Sequence, residues 1–214
     1  MKYYKDKKQI YKMSYVDKID NYQGDCNVLL GKHKLFSSYV KDFACEQKVG
    51  SHGLDLGTGP RGCNSQIFVN NGIKIDGCDA EIEVVKSLTN NYSLKFLFVL
   101  GKDILPYTSA SLDFIVCSCV IQHLNSMKEL SHGINEISRV LKSGGQLYLM
   151  FKVGNNDTYF THFNSYYDQE RTFKVFSLGA VSKLCESMSL YLASSEYLLD
   201  DNYIPYCCAV FSRL

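Results

Sequence analysis

Apolar residues along this chain follow two alternating spacings. Short continuous apolar runs indicate strands, because a strand that is buried on both faces carries apolar side chains on both. Apolar runs occur at 95–101 and 112–120, and shorter apolar stretches predict strands at 49–56, 73–79 and 146–153. Between and around them, apolar residues recur at helical spacing, which predicts helices. These helical segments are 31–48, 61–71, 80–91, 126–141 and 177–188.

Local signals predict several helix ends. Ser126 is followed three residues later by Glu129, which is a capping-box pattern, so we expect a helix to begin there. Gly144 and Gly145 are expected to end this helix, because glycine is common just after a helix. Ser177 is expected to begin the next helix.

Strands that alternate with helices need crossover connections, which produce a mainly parallel sheet with helices on both faces. The last two strand-like runs, 190–199 and 205–213, have no helix between them. They are therefore expected to form a hairpin, and the C-terminal strand should be antiparallel to its neighbour. The predicted fold class is α/β, with a seven-stranded sheet.

Composition indicates one folded domain. The chain has 214 residues, 46% of them hydrophobic, and a net charge of +1. We expect the polar, tyrosine-rich residues 1–25 to be a flap or tail that precedes a single domain at 26–214. No run is long and apolar enough to span a membrane, and the first residues lack the apolar core of a signal peptide. The net charge gives no global argument for binding nucleic acid or an anionic membrane.

The nine cysteines include no CxxC pair, and no two histidines have zinc-finger spacing. We therefore expect reduced cysteines in the core and no metal site. Reduced thiols are typical of a reducing compartment, so the expected location is the cytoplasm.

A glycine-rich turn follows the first predicted strand. Residues 54–62 read Leu-Asp-Leu-Gly-Thr-Gly-Pro-Arg-Gly, so Gly57, Gly59 and Gly62 satisfy the pattern GxGxxG between a strand and a helix. Such a turn lets the backbone approach a ligand closely and directs helix N–H groups at a negative group. The pattern alone is also compatible with a tight strand-to-helix turn that binds nothing.

Three carboxylates favour a ligand. Asp55 lies two residues before the first glycine, Asp79 ends the second predicted strand, and Asp103 follows the third. The carboxyl ends of neighbouring parallel strands form the crevice in which such sheets bind ligands. Asp79 is suited to accept both hydroxyl protons of a ribose, and Asp103 with the apolar Ile104 suits an amino group on a flat purine. Each carboxylate taken singly is equally well explained as a cap or turn residue.

The chain resembles the class I S-adenosylmethionine-dependent methyltransferases, which have a Rossmann-like sheet, and within them the small-molecule, UbiE-like group. The resemblance covers about residues 32–214. It rests on the glycine turn, on Asp79 and Asp103, and on the segments SLDFIVCSCVIQHL at 111–124 and RVLKSGGQL at 139–147. It implies S-adenosyl-L-methionine as cofactor, S-adenosyl-L-homocysteine as product, and no metal. The cofactor-binding residues that it implies are Asp55, Gly57, Thr58, Gly59, Asp79, Ala80, Asp103, Ile104, Ser118 and Cys119.

The methyl acceptor is expected beside the end of the fourth predicted strand. His123, just past that strand, is the candidate general base, and the alternatives are that it lines the pocket or caps the next helix. The resemblance implies that the long connection at 154–176 covers the substrate, with Tyr166, Tyr167 and Arg171 in contact with it. Arg171 suits a carboxylate or phosphate, or a local ion pair.

We expect a small-molecule acceptor, and three alternatives stay open. A nicotinamide enzyme would also use an acid about 20 residues beyond the glycines, although Asp55, Asp103 and the final hairpin argue against it. A tRNA-modifying methyltransferase would need a partner subunit or the N-terminal lysines to hold phosphates. A non-catalytic partner protein would keep this fold, but it should have lost the cofactor carboxylates.

Overall fold

The computed structural model describes residues 34–59, 62–88, 90–154, 159–164, 169–199 and 205–214. The predicted flap or tail at 1–25 lies outside the described residues, and so do Tyr166 and Tyr167.

The predicted alternation of strands and helices is confirmed. Within the described residues the helices are α1 (Lys34–Glu46), α2 (Cys63–Asn70), α3 (Ile82–Ser87), α4 (Met127–Val140) and α5 (Leu178–Glu186), with a 3-10 turn at Ile121–His123. The strands are β1 (His52–Leu56), β2 (Lys74–Asp79), β3 (Lys95–Leu97), β4 (Leu112–Ser118), β5 (Leu141–Lys152), β6 (Tyr159–Asn164), β7 (Gln169–Lys174), β8 (Leu190–Leu199) and β9 (Pro205–Arg213). Two predicted helix starts are correct, because the Ser126 and Ser177 hydroxyls accept from the backbone N–H groups of Glu129 and Ala180.

Seven strands form one sheet in the order β3-β2-β1-β4-β5-β9-β8. The pairs β2–β3, β1–β2, β1–β4 and β4–β5 are parallel, whereas β9 is antiparallel to both β5 and β8. The α/β fold with a mainly parallel seven-stranded sheet and a C-terminal antiparallel strand is therefore confirmed. This order brings the carboxyl ends of β1, β2 and β4 side by side at one edge of the sheet.

Helices cover both faces of the sheet. Successive residues of β4 point to opposite faces, so Ile115 and Cys117 pack in one buried cluster while Phe114 and Val116 pack in the other. The first cluster includes residues of α4 and α5, namely Leu130, Ile134, Ile137, Val181 and Cys185. The second includes residues of α1, α2 and α3, namely Val40, Phe43, Ala44, Phe68 and Val84.

The expected role of Gly144 and Gly145 in ending a helix is wrong. Helix α4 ends at Val140, and Leu141 is already extended. The two glycines lie inside β5, where the register with β4 shifts between Leu112 and Phe114. A Cβ on Gly145 would lie 2.8 Å from the Lys142 carbonyl oxygen, so the close approach of the backbone in this irregularity requires glycine.

One further prediction needs correction, and one connection has more structure than the sequence indicates. Strand β3 ends at Leu97, so Asp103 lies on the connection to β4 and does not directly follow the strand. The long connection at 154–176 contains a second, two-stranded sheet in which β6 pairs antiparallel with β7. The isolated bridge between Val153 and Phe176 joins the two ends of this connection.

No helix among the described residues is long and apolar enough to cross a membrane.

Candidate functional site

The glycine turn is fixed to the carboxyl end of β2. The backbone N–H groups of Gly57 and Thr58 both donate to the Cys78 carbonyl oxygen, at 2.9 and 3.0 Å. Gly57 and Gly59 have φ values of +76° and +62°, a region that strains other residues. The turn therefore curls over the ends of two neighbouring parallel strands, as the sequence predicts.

Gly57 also has no room for a side chain. A Cβ at this position would lie 2.3 Å from Cγ2 of Val120, which follows β4. Glycine is thus required twice here, by the backbone conformation and by the contact with Val120. As a result the turn lies directly against the segment that carries the other candidate residues.

The Asp79 carboxylate joins β2 to the same turn. Its Oδ2 accepts from the Gly59 N–H at 3.0 Å, and its Oδ1 accepts from the Glu81 N–H at 3.0 Å. Burial raises the pKa of Asp79, while hydrogen bonds from the backbone of Glu81, Gly59 and Ala80 oppose that shift. Asp79 is only half-buried and Ala80 is exposed, so this end of β2 remains open to a ligand.

Asp55 lies on the inner side of the turn and is fully buried. The Tyr92 hydroxyl donates to Asp55 Oδ2 at 2.6 Å, and the Asn64 side-chain amide donates to Oδ1 at 3.3 Å. Burial raises the pKa of Asp55 to about 6, although both hydrogen bonds lower it. The carboxylate of Asp55 therefore has protein partners and supports the turn from beneath.

The Thr58 hydroxyl is a buried polar group of the turn. Thr58 is buried, and its Oγ1 has no hydrogen-bond partner among the described residues. Leaving a buried hydroxyl unpaired costs free energy of about 1–3 kcal/mol. A polar ligand group at the turn would remove this cost.

Asp103 and Ile104 lie on the connection between β3 and β4. The Asp103 Oδ2 accepts from the Val99 N–H at 2.7 Å, and the Asp103 carbonyl oxygen lies 3.3 Å from Nε2 of His132 on α4. The Ile104 side chain is 72% exposed, an unusual exposure for a large aliphatic group. Asp103 thus shapes a local turn, and Ile104 is left uncovered beside it.

The chain turns sharply at the carboxyl end of β4. Strand β4 ends at Ser118, and Cys119 has φ +60° while its N–H donates to the Met150 carbonyl oxygen at 2.8 Å. Positive φ at a non-glycine residue is strained, and such strain is concentrated at functional sites. The turn leads directly into the 3-10 segment that ends at His123.

His123 is exposed and packs edge-on against Phe173 of β7, with ring centroids 5.3 Å apart. Its neighbour Gln122 is buried, and the Gln122 Oε1 accepts from the Lys152 N–H at 3.1 Å. The two-stranded sheet of β6 and β7 therefore lies against the segment where the sequence predicts the acceptor. Arg171 pairs with His162 in this small sheet.

Lys152, at the carboxyl end of β5, is not among the site residues that the sequence predicts. Its side chain is only 2% exposed. Its Nζ lies 4.8 Å from the ring centroid of Phe173 and 4.4 Å from that of Tyr206, so two aromatic faces stabilise the ammonium group. The available signal was a lysine inside an otherwise apolar strand. Tyr92 was missed as well, because no local pattern links it to Asp55.

Among the residues that the structure describes, no group of three or more His, Cys, Asp or Glu side chains could hold a metal ion.

Comparison with known proteins gives one family and many structures of the same fold. Residues 54–149 match the family described as "Methyltransferase domain". A S-adenosylmethionine-dependent methyltransferase from Methanosarcina mazei is 17% identical, with a TM-score of 0.67 over 81% of this chain and 97% of that one. No curated protein matches the chain in sequence.

Two other structures of the same fold contain a bound ligand or a partner protein. One is a Burkholderia thailandensis 1,6-didemethyltoxoflavin-N1-methyltransferase with that compound and S-adenosylhomocysteine bound, at 11% identity and TM-score 0.67, covering 97% of this chain and 89% of that one. The other is a Haloferax volcanii complex between the Trm112 methyltransferase activator and a methyltransferase, at 16% identity and TM-score 0.66, covering 92% and 96%.

The UbiE-like subgroup stays a prediction. The matched domain includes the glycine turn, Asp79 and the end of β4, and the seven-stranded sheet is shared with these structures. The chain thus has the fold of the class I S-adenosylmethionine-dependent methyltransferases, and its residues 54–149 are similar in sequence to the methyltransferase domain family.

Proposed function

We propose that this protein is an enzyme that transfers the methyl group of S-adenosylmethionine to a small molecule. The proposal depends above all on one observation, the half-buried Asp79 carboxylate that is bonded to Gly59 at the open end of β2. A carboxylate in this position can accept both hydroxyl protons of a ribose in charge-assisted hydrogen bonds. The unpaired buried hydroxyl of Thr58, in the same turn, fits a polar ligand as well.

Each part of the cofactor has matching residues. Gly57 and Gly59 let the backbone approach the methionine end, Asp79 holds the ribose beside Ala80, and Asp103 holds the adenine amino group. The exposed Ile104 would lie against the adenine ring, which accounts for an uncovered aliphatic side chain. In this assignment Asp55 acts through the turn that it supports, whereas Ser118 and Cys119 form the wall next to the methyl group.

When bound, S-adenosylmethionine supplies a methyl group on a positively charged sulfur that is a good leaving group. The task of the protein is therefore to orient the acceptor in line and to exclude water. The small sheet of β6 and β7, which packs on His123 through Phe173, is suited to cover the acceptor. Tyr166, Tyr167 and Arg171 of the same connection remain proposed acceptor contacts.

A small molecule is the proposed acceptor, since the Burkholderia thailandensis relative in fold is named for one. The Haloferax volcanii relative in fold is in a complex with a methyltransferase activator, so an acceptor screen should include tRNA with a partner subunit as its last stage. The proposed location is the cytoplasm. It is supported by the free cysteines of the described residues, among them the buried Cys78, Cys117, Cys185, Cys207 and Cys208.

Binding of S-adenosylmethionine to the full chain is the first test, measured by calorimetry and by thermal unfolding. We expect ligand at about 100 times the dissociation constant to raise the free energy of unfolding by about 2.7 kcal/mol. S-adenosylhomocysteine should compete, and NAD should not bind. Binding of NAD in place of S-adenosylmethionine would indicate a nicotinamide enzyme, and binding of neither would indicate a non-catalytic partner protein.

His123→Gln tests the proposed role of His123 as general base. With the first acceptor from a screen of small carboxylates and aromatic amines that yields S-adenosylhomocysteine, we expect turnover to fall by about 100-fold or more. The affinity for S-adenosylmethionine should stay within about twofold, because a general base acts on the acceptor and not on the cofactor.

His52→Gln is the matched control, because His52 lies at the start of β1, at the opposite end of that strand from the glycine turn, with Nε2 2.6 Å from Asp76 Oδ2. This variant should leave turnover unchanged. Unchanged turnover in His123→Gln itself would limit His123 to lining the pocket.

A further inference from the structure

Tyr92 lies directly beneath the glycine turn, although it belongs to the segment between α3 and β3. A Cβ on Gly62 would lie 2.2 Å from the Tyr92 ring, and a Cβ on Gly77 would lie 2.8 Å from it. The ring therefore fills the space left by two glycines, one at the end of the turn and one on β2. Tyr92 itself is buried, with 4% of its surface exposed.

The Tyr92 hydroxyl holds the turn from its other end. It donates to Asp55 Oδ2 at 2.6 Å, and Asn64 donates to the second oxygen of the same carboxylate at 3.3 Å. Asp55 lies two residues before Gly57, whereas Asn64 lies two residues after Gly62. The tyrosine thus contacts both ends of the turn, through its hydroxyl on one side and its ring on the other.

The structure assigns Tyr92 as a positioning residue, which holds the glycine turn in its ligand-binding shape through the hydrogen bond to Asp55. This inference rests on the proposed function, since the ligand in question is S-adenosylmethionine. The inference adds a residue to the proposed function, because nothing in the sequence of the turn requires a tyrosine 37 positions after Asp55.

The environment of Asp55 makes the role of the hydroxyl dependent on pH. In the part of the chain that the structure describes, the titratable groups around this carboxylate are Asp79 and Cys78 on β2, Cys117 on β4, and Tyr92 itself. Burial raises the pKa of both thiols, so they stay neutral, and Asp79 opposes ionisation of Asp55. The Tyr92 hydrogen bond is the larger of the two side-chain bonds that lower the pKa of Asp55, which lies at about 6.

The sign of the effect follows from these shifts. The pKa of Asp55 is higher in the folded protein than in the unfolded chain, so its ionisation opposes folding progressively as the pH rises from about 4 to about 6. Removing the hydroxyl raises the folded pKa further, which extends this loss towards neutral pH. A variant without the hydroxyl should therefore differ from wild type more at pH 8 than at pH 5.

Tyr92→Phe tests this role, because it removes the hydroxyl and keeps the ring between Gly62 and Gly77. We expect the dissociation constant for S-adenosylmethionine to rise about tenfold at pH 8 and less than about threefold at pH 5. Thermal unfolding without ligand should show the same trend, with a larger difference from wild type at pH 8.

Tyr107→Phe is the matched control. The Tyr107 hydroxyl donates to Asp76 Oδ2 at 2.8 Å, so this variant breaks an equivalent bond to another buried carboxylate. Asp76 pairs with Leu54 in the sheet and so lies on the face opposite to Asp55. Tyr107→Phe should alter stability without changing the affinity for S-adenosylmethionine.

The outcomes separate this inference from the proposed function. If wild type fails to bind S-adenosylmethionine, the proposed function fails. If wild type binds and Tyr92→Phe binds equally well at both pH values, the function stands and the positioning role is overturned. An equal loss of affinity at pH 5 and pH 8 would also overturn it, because a packing defect alone does not depend on the charge of Asp55.

Discussion

Asp79→Ala should reduce the affinity for S-adenosylmethionine by more than about 100-fold, to the point where calorimetry detects no binding. A hydrogen bond to a charged group contributes about 1.5–3 kcal/mol, and the assignment gives Asp79 two of them on the ribose. The variant also releases the Gly59 and Glu81 N–H groups from their acceptor, so the turn loses one of its attachments to the end of β2 and keeps those to the Cys78 carbonyl oxygen.

Two variants make this result interpretable. Asp79→Asn keeps one accepting oxygen without the charge and should retain part of the affinity. Asp42→Ala removes an exposed carboxylate on α1 and should change nothing. Binding should be measured well below the unfolding temperature of each variant, with circular dichroism as evidence of the fold. Wild-type affinity in a folded Asp79→Ala protein would refute the ribose assignment.

Ionisation of the Asp79 carboxylate should make the binding of S-adenosylmethionine depend on pH. Because burial raises the pKa of Asp79, its charged form is lost at a higher pH than that of an exposed aspartate. Affinity should therefore decrease on acidification, and it should do so before ordinary surface carboxylates titrate.

Phe114→Ala should lower the free energy of unfolding by about 3–5 kcal/mol, a large part of the 5–15 kcal/mol typical of a domain. Phe114 is fully buried at the centre of β4, stacked on Phe68 at 5.0 Å and edge-on to Phe43 at 5.9 Å. Its ring also occupies the space that a Cβ on Gly53 would need, at 2.2 Å. Gly53 on the neighbouring strand β1 therefore leaves the space that this ring fills, and the cavity left by alanine cannot easily close.

Urea unfolding at constant pH measures this change through the transition midpoint. Tyr191→Ala is the control, since Tyr191 is 43% exposed on the edge strand β8 and its loss should cost no more than about 0.5 kcal/mol. A loss below about 1.5 kcal/mol in Phe114→Ala would mean that α1 and α2 move in to fill the space.

Features fixed by neighbouring residues could be predicted from sequence, and features fixed by distant contacts could not. Ser126 and Ser177 bond to amides three residues away, so their helix starts are visible in a short stretch of sequence. Gly144 and Gly145 have the composition of a helix end, but their place is set by the register between β4 and β5. The contacts of Lys152 with Phe173 and Tyr206 depend on how separate strands come together.

The candidate site likewise contains residues that could be predicted from sequence and residues that could not. The positions of Gly57, Gly59 and Asp79 follow from a turn and a strand end that the sequence displays. Tyr92 belongs to the same site, yet its bond to Asp55 exists only once β1 and β2 are paired. The pairing of Phe173 with His123 likewise requires the small sheet, which no alternation at 154–176 indicated.

The position of β9 inside the sheet determines the order in which this protein can finish folding. β9 pairs with β5 on one side and β8 on the other, and partners such as Leu147 and Phe211 are far apart in the chain. At about 5–20 residues per second, a ribosome needs several seconds after making β5 to deliver β9. During that interval the edge of β5 has no β9 to pair with, and an unpaired strand edge is a template for pairing with other chains.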